Sequence, residues 1–181
     1  MKPLSNKNSI AARLQALADE GRSSTRILSQ QPAPADYDQV SQQLAALISG
    51  EKDRVANLAN CAALLWQGVP AINWAGFYLL KRNTLVLGPF QGKPACTRIE
   101  IGRGVCGLAA QMLKAVIVGN VHEFPGYINS DLNSRSEIVL PLIIDGKLIG
   151  LLDIDSPDVD RFDHIDQQGL ERIVQVLIAQ L

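Results

Sequence analysis

The side chains able to do chemistry are concentrated between Gly88 and Ser156. Two thiols, Cys96 and Cys106, lie on either side of a strand end and a glycine-rich turn, Gly102-Arg103-Gly104-Val105-Cys106-Gly107. Two thiols that can meet form a redox pair, cycling through sulfenic acid and disulfide. Whether they meet depends on the loops between them. Cys106 stands at the mouth of a helix expected over 104–114. Unpaired N–H groups there favour a thiolate, or hold the carboxylate or phosphate of a ligand. The plainer reading of Cys106 is a small residue in a crowded turn.

Three acids complete the set. Asp153 and Asp155 share one face of a strand, among Leu151, Leu152 and Ile154. Two carboxylates crowded together in apolar surroundings hold one proton near neutral pH, and the protonated one serves as an acid. The competing reading is a solvated strand end beside Ser156-Pro157. Glu137 begins the partner strand. A regular two-residue hairpin would set it opposite Ile154, on the other face. Pro141 hints at a bulge, and one bulge would bring Glu137 round to the aspartates. Trp74 and Tyr78 share a strand face and read either as core or as walls of a small-molecule pocket. No histidine or cysteine pair has metal-ligand spacing, so neither a metal nor a bound cofactor is expected. His122, alone in its loop, carries little weight.

These residues need a scaffold, and the periodicity supplies one. Asp36 caps a helix with Tyr37, Val40, Leu44 and Leu47 on its apolar face, ended by Gly50. A second helix from Glu51 carries Val55, Leu58, Cys61, Ala62 and Leu65 on one stripe, so Cys61 reads as a small buried hydrophobe. Strands follow over 72–80, 84–90, 95–101 and 115–118. The segment 119–136 is a polar loop of a length that is usually functional. Strands 138–144 and 148–155 flank Asp145-Gly146, a type I′ hairpin signal. Asp163, with Asp166 three residues on, opens a last helix facing Leu170, Ile173, Val174, Leu177 and Leu181 inward. This order predicts an α+β fold with an antiparallel sheet covered by helices. Residues 1–35 read as a helical extension and a proline-containing linker, and residues 36–181 as the domain.

Composition narrows the function classes. The chain has 181 residues, 47% hydrophobic, with a formal net charge of -1. That suits one domain with an added element and excludes a strongly basic nucleic-acid face. No apolar run reaches a membrane span, and no apolar segment follows Lys2 and Lys7 to make a signal peptide. Three cysteines, an odd number, fit a reducing cytoplasm.

The segments Ile72–Leu79, Leu87–Cys96, Gly102–Gly107, Ser136–Leu142 and Gly150–Ser156 together resemble the free methionine-(R)-sulfoxide reductases, single GAF domains, over residues 36–181. The resemblance implies a six-stranded antiparallel sheet flanked by helices, a homodimer and a cytoplasmic location. It implies reduction of free L-methionine-(R)-sulfoxide by thiol chemistry, with thioredoxin as reductant. Cys96 would be a recycling thiol and Cys106 a further redox thiol. Trp74 and Tyr78 would line the methionine pocket, and Glu137, Asp153 and Asp155 would bind the amino group and protonate the sulfoxide oxygen. One departure bears on activity. The family pattern Gly-His-Ile-Ala-Cys-Asp reads here Gly126-Tyr127-Ile128-Asn129-Ser130-Asp131, so Ser130 replaces the thiol usually assigned as nucleophile. A hydroxyl cannot cycle through a sulfenic acid. Either Cys106 or Cys96 serves instead, or the domain is a non-catalytic sensor of methionine sulfoxide or a similar ligand. A GAF domain for cyclic nucleotides ranks low, because the Asn-Lys-Phe-Asp-Glu motif is missing.

Overall fold

The computed structural model describes residues 35–128 and 131–181. Apart from Ala35, the expected N-terminal extension lies outside the described residues, as does Ser130. Six strands form one sheet: β1 (Trp74–Lys81), β2 (Thr84–Gly92), β3 (Arg98–Glu100), β4 (Val116–Val118), β5 (Ser136–Ile144) and β6 (Lys147–Ser156). Their order is β3-β2-β1-β6-β5-β4, and every neighbouring pair is antiparallel. The β1–β2 and β5–β6 connections are two-residue turns. Arg82 and Asn83 both have positive φ, as do Asp145 and Gly146, which matches the type I′ signal.

Among the described residues four α-helices cover the sheet: α1 (Tyr37–Leu47), α2 (Arg54–Gly68), α3 (Gly104–Met112) and α4 (His164–Ile178). Helices α1, α2 and α4 bury one face of the sheet. There Leu44, Leu58, Leu65, Leu170 and Ile173 pack with Phe77, Ile138, Leu140, Leu152 and Ile154. Cys61 is part of this layer. On α1, Leu47 departs from expectation: it is exposed, and Ile48, four residues after Leu44, takes the core position. Val55, in the first turn of α2, is also exposed. The capping box of α4 forms as expected, and Arg161 bridges to its Asp166 at 3.0 Å.

Among the described residues, α3 is the α-helix on the other face. It packs Val105, Cys106, Ala109 and Ala110 against Trp74, Tyr78, Val139 and Leu151. Helix α3 comes close because Gly107 has no side chain; a Cβ there would sit 2.5 Å from the Glu100 carbonyl oxygen. The acids lie on this face beside α3, where Tyr127 and Ile128 of the following loop also line their surroundings.

Strand β3 is shorter than the expected 95–101. The Tyr78 hydroxyl donates to the Cys96 carbonyl at 2.9 Å, so this carbonyl is held by a side chain instead of a ladder.

Candidate active site

The site is assembled by strand register. Trp74 pairs with Asp155, Gly76 with Asp153, and Tyr78 with Leu151, so β1 and β6 present these side chains to one face. On β5, Glu137 pairs with Asp155 and Val139 with Asp153. This corrects the regular-hairpin expectation, which put Glu137 opposite Ile154. A register shift between Leu142 and Ile143 inserts one residue on β6 and moves Glu137 to the face of the aspartates. The bulge lies beside the turn, not at Pro141, which pairs regularly with Leu151.

Cys106 enters from above, on the first turn of α3. Its Sγ donates to Glu137 Oε1 at 3.9 Å. Cys106, Glu137 and Asp153 are all buried, and one ligand-capable atom from each lies within 4.8 Å of the others. No sequence spacing reveals this trio, because its members come from a helix and two different strands. A cavity of about 30 Å³ borders it, lined by Tyr78, Arg103, Cys106, Tyr127, Glu137 and Asp155 among others. A second, of about 20 Å³, is lined by Trp74 and Lys93 among others and shares Tyr78, Asp153 and Asp155 with the first.

The aromatic walls are fastened at their polar tips. Trp74 Nε1 donates to the Lys93 carbonyl at 3.0 Å, and its ring stacks on Phe90 at 5.3 Å. The loop after residue 119 is tied down at Asp131. Asp131 pairs with Lys93 at 3.1 Å and accepts from the Asn133 N–H at 3.0 Å. Asn73 donates to Ser134 at 3.1 Å. In the sequence, Tyr127 stands out only as a departure from a pattern. In the structure it is a wall of the cavity, edge-on to His122 at 6.4 Å.

Burial dominates the electrostatics. It raises Asp153 from 3.8 to about 6. Glu137 and Asp155 rise well above the usual carboxylate range, first through desolvation and then through the charge of Asp153. All three shifts run in the direction that favours a protonated carboxyl. For Cys106 the direction runs against a thiolate. Desolvation, then Asp153 and Glu137, push its thiol well above the ordinary value, and these outweigh the positive end of α3. Cys61, enclosed by hydrocarbon, is pushed up to about 12. No disulfide joins the three thiols, and Cys96 is partly exposed.

The arrangement therefore offers a thiol, three carboxyls with raised proton affinity, and aromatic walls around a small space. A buried cluster of acids this dense favours a cationic group, and its protonated members can donate to an oxygen.

Residues 37–181 match the GAF domain family. The chain is 50% identical over 141 residues to the free methionine-R-sulfoxide reductase of Escherichia coli, covering 78% of this chain and 86% of that protein. It is 51% identical over 144 residues to protein YtsP of Bacillus subtilis, covering 78% and 88%. The fRMsr of Staphylococcus aureus, solved in complex with substrate, superposes with a TM-score of 0.79 at 49% identity, covering 82% of this chain and 97% of that one. No helix among the described residues is long and apolar enough to cross a membrane. With its α+β sheet, its acid cluster and these relatives, the chain is a GAF domain belonging to the free methionine-R-sulfoxide reductase family.

Proposed function

We propose that this domain binds free methionine-(R)-sulfoxide and reduces it slowly, with Cys106 as nucleophile. The observation that carries the reading is the convergence of Glu137, Asp153 and Asp155 on one sheet face beside the Cys106 thiol. Buried carboxyls favour an ammonium group. A free amino acid has one and an internal methionine residue has none, so an enclosed acid pocket selects the free compound. Trp74 and Tyr78 offer apolar surface to the thioether end. Arg103 and the leading N–H groups of α3 suit the substrate carboxylate.

In this reading Cys106 Sγ attacks the sulfoxide sulfur as a protonated carboxyl, Asp155 or Glu137, gives its proton to the sulfoxide oxygen. In the sulfurane so formed the hydroxyl passes from the substrate sulfur to Sγ as the Sγ–S and S–O bonds break, so methionine leaves reduced and Cys106 is oxidised to a sulfenic acid. The thiol proton restores the carboxyl. Cys96 then condenses with the sulfenic acid, releasing water and forming a disulfide, and thioredoxin returns both thiols. The raised Cys106 thiol makes the attack slow, since the thiolate is the reactive form. Relatives named for this activity support the reading, as does the S. aureus structure holding its substrate. The homodimer, the cytoplasmic location and thioredoxin belong to the same proposal and rest on the family resemblance.

A second reading is favoured by one observation, Ser130 in the place of the family's loop thiol. It makes the domain a binder that senses methionine sulfoxide without turning it over. Thioredoxin-coupled NADPH consumption with the free (R)-sulfoxide separates the two. Turnover that vanishes in Cys106→Ser supports the enzyme. Binding by calorimetry with no turnover supports the sensor.

A further inference from the structure

We propose that Cys106, Glu137 and Asp153 form a binding site for a thiophilic divalent cation, with Zn²⁺ the best match. Two independent observations carry it. The first is the ligand set: one sulfur and two carboxylate oxygens, one from each residue, lie within 4.8 Å of one another, and all three residues are buried. The second is an orphaned acceptor. Asp153 is 7% exposed, and its Oδ1 has no hydrogen-bond partner. A buried carboxylate oxygen left unsatisfied is costly and calls for a ligand. Asp153 lines the cavity next to the trio, so this orphan sits at the site itself.

The ligand set lies within reach of zinc geometry. Zn–S is about 2.3 Å and Zn–O about 2.0–2.2 Å, so tetrahedral sulfur and oxygen ligands sit roughly 3.5 Å apart. The Cys106 Sγ to Glu137 Oε1 distance is 3.9 Å, so a contraction of a few tenths of an ångström brings them to bonding positions. Sulfur selects against Mg²⁺ and Ca²⁺, which take oxygen ligands. Three protein ligands leave a fourth position open. The adjoining cavity of about 30 Å³ has room for a water there. Binding would displace the thiol proton and the protons held on the carboxyls, with the cation neutralising the charge that burial disfavours. The metal and a substrate ammonium would use the same carboxylates and exclude each other. That competition rests on the substrate reading above; the metal site does not.

The test uses the full chain, reduced with a phosphine and stripped with a chelator, then titrated with Co²⁺. The expected result is one Co²⁺ per protomer with thiolate-to-cobalt charge-transfer absorption, displaced by Zn²⁺. Cys96→Ser should keep the band. Cys106→Ser should lose it and weaken Zn²⁺ binding by at least about 100-fold, more than the loss of an outer-shell partner costs. A band absent from the wild type, or one that survives Cys106→Ser, or one that disappears with Cys96→Ser, overturns the proposal. A readout on the wild type alone covers a Cys106→Ser that does not fold. Saturating Zn²⁺ should slow alkylation of Cys106, mapped by mass spectrometry, by about tenfold or more; an unchanged rate overturns the site equally.

Discussion

Glu137 on β5 and Asp155 on β6 are directly paired across the ladder, so their carboxyls project side by side from one face of the sheet. Both are held above the ordinary carboxylate range by desolvation first, and then by the charge of Asp153. Among the described residues, no ion pair involves either carboxyl. A ligand that brings an ammonium group supplies a counter-charge.

Asp155→Ala should therefore weaken binding of methionine sulfoxide. Removing one member of a buried charged contact costs about 2–5 kcal/mol, so the affinity should fall by roughly 30-fold or more. Calorimetry on the two proteins reads this directly. An Asp155→Ala variant that binds as tightly as the wild type removes Asp155 from the ligand contact.

The same burial predicts how stability depends on pH. Asp153 titrates near 3.8 when unfolded and at about 6 when folded, chiefly because burial disfavours its charge. Its folded value is raised, so the folded state holds the proton more tightly. As pH climbs from about 4 to about 6, the unfolded chain releases the proton first, and stability falls across that window. Above it the loss persists. Glu137 and Asp155 shift in the same direction and extend the loss to higher pH. Asp153→Asn should raise the melting temperature at neutral pH and change it little near pH 4. At about 2–4 °C per kcal/mol for a domain of this size, the neutral-pH gain should be readable in a thermal scan. A larger gain at pH 4 than at pH 7 would contradict the assignment. Stability given up at a ligand site is an expected trade.

What could be read in advance followed from local rules. Asp36, Asp163 and the Asp145-Gly146 turn announce their elements through side chains that bond neighbouring backbone or accept positive φ. Trp74 and Tyr78, or Asp153 and Asp155, share a face because strand side chains alternate. Glu137 was not decidable, because one extra residue on β6, near Ile149, sets its face. The sign of the Cys106 shift was also out of reach. It is decided first by burial and then by Asp153 and Glu137, which come from strands more than thirty residues away in the chain. Periodicity could not show that Tyr127 lines the cavity either, since its loop follows no repeat. Local spacing therefore carried the elements, and the site emerged only where separate elements meet.

Cys61 should stay inert. It is buried in the layer between α2 and the sheet, and burial pushes its thiol up to about 12. Labelling the folded protein with a thiol reagent should modify the partly exposed Cys96 first and leave Cys61 untouched until denaturant is added. Early modification of Cys61 would show that α2 opens far more readily than its packing implies.

The last prediction concerns Ser130, which lies outside the described residues. In the family pattern this position holds a thiol, and the neighbouring Asp131 is anchored here by Lys93 and the Asn133 N–H. A hydroxyl is a poor nucleophile because it does not ionise near neutral pH, whereas a thiol reaches a partly ionised state. The natural thiol at the site, Cys106, is disfavoured as a thiolate by burial and by two carboxylates. Ser130→Cys adds a thiol at the position where the family pattern has one and exchanges one atom for another of similar size. It should reduce free methionine-(R)-sulfoxide at least about tenfold faster than the wild type, a barrier change of about 1.4 kcal/mol. The coupled NADPH assay measures the gain. Cys106→Ser in the natural sequence is the control. A wild type that turns over briskly and loses this with Cys106→Ser would show that Cys106 attacks efficiently despite its surroundings. The buried acids would then have to take up its proton as the substrate binds.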